Sequence, residues 1–130
     1  MVPDTFGAVT LLVVAERAAA LVPAFQAFLL TCSLPGDPVG SLGREGHRLA
    51  TEFDCLHGWV ADSPGAPGFE TERSCLLTAL SYHRMIVHDA LRLTFPKVRT
   101  ARTDSLRAAL GEHSTLTADL LDLPARLGRA

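Results

Sequence analysis

Three histidines stand where apolar residues are expected. In Leu76–Phe95 a helical period of about 100° per residue puts Leu76, Ala79, Leu80, Val87, Ala90 and Leu91 on one face. His83 falls within that face. His57 borders the stripe of Leu42, Leu49, Phe53, Leu56 and Val60, and His113 lies seven residues after Leu106 and seven before Leu120. A buried imidazole needs a partner, because an orphaned polar group costs about 1–3 kcal/mol. A carboxylate partner, for which Glu16 is the candidate, would make a proton-transfer site. Three imidazoles, His57, His83 and His113, would instead suit a mononuclear transition metal such as zinc, iron, nickel or copper. The plain alternative is a hydrogen bond to main chain or to an inward hydroxyl, with Thr94 and Thr117 at hand. Counting from the loops in an up-and-down arrangement, at about 1.5 Å per residue, puts Glu16, His57, His83 and His113 within about one turn of a common level.

Arg99 and Arg102 form a second feature. Placed near the inward face at the start of the last helix, they would clamp a carboxylate or phosphate above the histidine level. Pairing with acids of the first two helices is the competing expectation. Other templates are absent. There is no Gly-rich phosphate loop after a strand, no GxSxG and no HExxH. No histidine has Glu or another His four residues later, and no ExxH pair occurs, which argues against a carboxylate-bridged dinuclear centre. No CxxCH occurs for haem attachment. The three cysteines, Cys32, Cys55 and Cys75, form no CxxC and read as reduced thiols of a cytoplasmic protein.

The elements that must position these groups are helical. Apolar periodicity predicts four helices, over about 5–32, 41–62, 69–95 and 97–122, separated by LPGDPVG (34–40), SPGAPG (63–68) and Pro96. Asp4 or Thr5 and Ser41 are the expected N-caps, and Pro96 the expected first residue of the fourth helix. Pro23 should loosen the first helix near Ala19–Val22, and Pro124 should end the fourth. No alternating strand pattern, repeat or low-complexity tract occurs. The expected fold is an all-α, antiparallel up-and-down four-helix bundle in a single domain. The first helix is apolar nearly all round, with Leu12, Ala15, Ala19 and Leu30 on one side and Val14, Leu21, Phe25 and Phe28 elsewhere. Such a helix needs cover on several sides, and a second protomer supplies it in a homodimer.

The 130 residues are 48% hydrophobic and 20% charged, with a net charge of −2. This is a globular composition and argues against a general nucleic-acid binder. The run Phe6–Leu30 is long enough to span a bilayer, but Glu16 and Arg17 at its centre argue against a membrane span. Nor does a basic segment precede it, as a signal peptide would need. Two functional readings remain. One is a small-molecule-binding bundle, or an enzyme, using His83 with His57, His113 and Glu16, and Arg99 or Arg102 on an anionic ligand. The other is a non-catalytic interaction or regulatory protein whose first helix binds a partner or a second copy.

Overall fold

A computed structural model describes residues 5–111 and 115–128, which are all-α, with no strand among them. Five α-helices are present: α1 (Thr5–Cys32), α2 (Gly40–Asp62), α3 (Glu70–Thr94), α4 (Ala101–Ala108) and α5 (Thr115–Gly128), with a 3-10 turn at Ala109–Gly111. α1 packs against α2, α3 and α5, and α3 against α2, α4 and α5. The α2–α3 pairing is antiparallel. Arg73 reaches the Val60 carbonyl at one end, Arg84 pairs with Asp54 midway, and Phe95 lies beside Gly43 at the other end. α1 and α2 are also antiparallel: Arg17 lies over Trp59, Phe25 meets Phe53, and Phe28 comes up against Gly46. A Cβ on Gly46 would lie 2.7 Å from both Phe28 and Leu91, so any larger residue forces one of those side chains to shift where α1 and α3 close on α2.

One-sided helices bury the faces their spacing implies. In α2 these are Leu42, Leu49, Phe53, Leu56 and Val60; in α3, Leu76, Ala79, Leu80, Val87 and Ala90. Each such side chain contributes about 1.5–3 kcal/mol on burial when it is of Leu or Phe size. α1 differs from its expected orientation. Its core face is Leu11, Val14, Ala15, Ala18, Val22, Phe25, Phe28, Leu29 and Cys32, while Leu30 is 62% exposed. Gly7–Cys32 is long and apolar enough to cross a membrane by length and composition alone.

The last quarter of the chain departs most from expectation. A single helix over 97–122 is replaced by α4, the 3-10 turn and α5. Pro96 does not open α4. Thr100 does, its hydroxyl accepting from the Thr103 N–H while Thr103 reciprocates at the Thr100 N–H, a capping box with Thr in place of the usual Glu. Val39 precedes α2 with no side-chain cap, so Ser41 lies inside that helix. Both internal prolines are tolerated, and α5 continues through Pro124 to Gly128. Proline deletes one helical N–H at each site, but Leu123 and Leu127 are buried and hold α5 on the core past Pro124. Apolar spacing puts Leu106, Ala109, Leu110, Leu116, Leu120 and Leu121 on one inward face of the last helix, but Leu106 and Leu121 are 47% and 49% exposed. Asp4 lies outside the described residues.

Candidate functional site

His83 is fully buried at the centre of α3. Its Nδ1 lies 2.6 Å from the Ala79 carbonyl, one turn back, and its Nε2 lies 2.9 Å from the Thr117 hydroxyl on α5. A carbonyl only accepts, so Nδ1 carries the proton and donates; the Thr117 hydroxyl then donates to Nε2. Burial pushes the His83 pKa down, opposed in part by the Ala79 carbonyl, so the ring is held neutral near pH 7. Phe25, Phe53 and Tyr82 surround it, with ring centroids 4.7, 5.4 and 5.3 Å away. Every hydrogen-bonding position of the neutral imidazole is therefore taken, and its faces are covered by aromatic side chains. Thr117 is the inward hydroxyl that the face pattern suggested. Thr94 is buried elsewhere and influences Cys32, whose thiol burial pushes up against the lowering effects of Thr94 and the Arg107 charge.

The remaining candidates do not share this environment. Glu16 is exposed on α1 and His57 is half-buried on α2, and neither occupies a ring nitrogen of His83. His113 lies outside the described residues. No group of three His, Cys, Asp or Glu among the described residues is placed to hold a metal ion. Arg99 and Arg102 are exposed rather than inward. The α4 helix that was to carry them begins only at Ala101, so Arg99 precedes it and pairs with Asp104 at 3.0 Å and more loosely with Asp37 at 3.7 Å. Cys32, Cys55 and Cys75 are free, buried, exposed and half-buried respectively.

Two arginines that carried no expectation are the ones with buried work. Arg107 of α4 is buried, donating from Nε to the Cys32 carbonyl at 2.5 Å and from Nη1 to the Gly36 carbonyl at 3.0 Å. Arg73 of α3 donates to the Val60 carbonyl at 3.1 Å. α1 and α2 have no basic residue in their own last turns. Each receives a guanidinium from a later element, which satisfies terminal carbonyls and sits at the negative end of the helix dipole. The sequence signal was this absence of basic residues at two helix ends.

The outer face of α1 carries the opposite anomaly. Val9 is 54% and Leu30 62% exposed, and Leu34, just past the helix, is 55% exposed. Together with Val13, Glu16, Ala20, Pro23 and Ala27 they alternate at spacings of four and three residues. This is a seven-residue spacing, with Val13 half-buried and Leu34 beyond the helix end. No family model, curated protein or solved structure matches the chain.

Proposed function

We propose that this chain is a non-catalytic helical interaction module that pairs with a second copy through the outer face of α1. The reading takes α1, α2, α3 and α5 as a four-helix bundle, α4 as a cap at one end, and the protein as soluble and cytoplasmic. The observation that carries it is the seven-residue run from Val9 to Leu30 on the outer face of α1, extended by Leu34 just past the helix, apolar except at Glu16 and exposed except at half-buried Val13. Small residues at Ala20 and Ala27 allow close helix approach. Parallel pairing would stack Glu16 on its own copy, and like charges there are unfavourable. Antiparallel pairing about Ala20 separates the two Glu16 carboxylates by about 12 Å along the axis, at about 1.5 Å per residue. Antiparallel pairing is therefore the favoured arrangement.

An interior acid–base or metal site lacks comparable support, since His83 spends both nitrogens on Ala79 and Thr117. The test is light scattering on the wild-type chain and on Ala27→Glu at about 50 µM, a concentration at which micromolar dimers persist. Ala27 is exposed, so the variant keeps its fold. Twice the chain mass for wild type and the single mass for Ala27→Glu are expected. A wild-type monomer would overturn the reading.

A further inference from the structure

A groove of about 530 Å³ lies between α1 and α2, bordering the outer face of α1 at Ala20. That is within the range of about 300–1,000 Å³ typical of small-molecule sites. Leu21 and Leu56 give it an apolar floor, and Trp59, 44% exposed, forms part of its wall. The guanidinium of Arg17 lies 5.5 Å from the Trp59 ring centroid, a cation–π contact. Among the described residues Arg17 enters no ion pair. The acid on the rim, Glu52, is already bonded to Arg48 at 2.8 Å. The groove therefore offers a half-exposed aromatic ring, an apolar floor and one cation without a carboxylate.

We propose that this groove binds a small aromatic carboxylate, its flat body against Trp59, Leu21 and Leu56 and its anion paired with Arg17. The charge decides the class. A cation would meet Arg17 unfavourably, and a neutral ring would leave the guanidinium without an anionic partner. Arg17 can turn a planar fork to a carboxylate while its stem stays against the indole. The groove borders the pairing face and shares Ala20 with it, but its ligand contacts, Arg17, Leu21, Leu56 and Trp59, lie outside the seven-residue repeat.

Trp59 is the only tryptophan, so its fluorescence reports on this groove alone. The probes are cinnamate and its neutral isostere cinnamamide. Cinnamate should quench Trp59 saturably and bind about tenfold more tightly than cinnamamide, the scale of one charge-assisted pairing. Arg17→Met should remove that difference by weakening cinnamate alone. Cys55 also lines the groove and is exposed, so bound cinnamate should slow its alkylation by iodoacetamide, read by mass. The Ala27→Glu chain, whose α1 face stays uncovered, should bind cinnamate at least as tightly as wild type, which separates this result from dimerisation. Unsaturable quenching, equal affinity for the two probes, or indifference to Arg17→Met would each overturn the proposal.

Discussion

The interior around His83 and the outer face of α1 invert the ordinary distribution of polarity. One places an imidazole where apolar side chains belong; the other places valine and leucine where charges belong. The difference lies in whether each anomaly has a partner. His83 has two, Ala79 and Thr117, and three aromatic neighbours. Val9, Leu30 and Leu34 remain open to water. A buried polar group that is fully bonded is a structural device. A periodic apolar stripe without cover is the better indication of use.

The largest effect should come from emptying the interior. His83→Ala removes a packed ring and strands Thr117, so urea denaturation should show a loss of about 3–5 kcal/mol. His83→Phe keeps the volume but leaves the Thr117 hydroxyl unpaired, and should lose about 1–3 kcal/mol. Adding Thr117→Val to that variant should restore much of the loss. Failure to restore it would mean that His83 does more than bond Thr117.

Arg107→Met leaves the Cys32 and Gly36 carbonyls without their donor and should cost about 2 kcal/mol. Hydrogen exchange should show α4 amides losing protection ahead of those in α3, because Arg107 is the one buried side chain of α4. Two of the glycines inside α2, Gly46 and Gly58, sharpen the comparison between packed and open faces. Gly46→Ala meets Phe28 and Leu91 and should destabilise by about 1–2 kcal/mol after the helix-propensity gain. Gly58→Ala meets nothing within 4 Å and should raise the melting temperature, with a gain of up to about 1 kcal/mol.

His83 also sets a pH dependence. Folded His83 has a lowered pKa, so below about pH 6.5 the unfolded chain takes up a proton that the folded chain refuses. The stability tied to neutral His83 is therefore complete above that pH and declines as pH falls toward the folded-state value. Its slope is at most about 1.4 kcal/mol per pH unit. Denaturation midpoints between pH 8 and pH 5 should fall less steeply for His83→Phe/Thr117→Val than for wild type.

How much of this was legible follows from how one-sided each element is. α2 and α3 alternate apolar and polar residues around the helix, so Phe53, Leu80 and His83 could be placed from spacing alone. α1 is apolar on every side, and spacing could not choose between the Leu12–Ala19–Leu30 side and the Leu11–Ala18–Val22 side that packing selected. The α4 start was hidden because Thr100 and Thr103 make a capping box without the expected Glu. Pro124 was over-weighted because burial of Leu127 outweighs one missing helical hydrogen bond. Arg73 and Arg107 resembled surface cations, since their partners are main-chain carbonyls that no side-chain pattern reveals. The burial of His83 was readable; the orientation of Glu16 and Arg99 depended on helix rotation and on helix ends.

The central claim is that the buried polar centre builds the fold while the uncovered face of α1 does the work. Sedimentation equilibrium of the His83→Phe/Thr117→Val chain beside Leu30→Glu tests it most directly. The account predicts a dimer for the first, its interior chemistry removed, and a monomer for the second, its interior untouched. A dimer that survives Leu30→Glu but dissociates when His83 and Thr117 are replaced would contradict it.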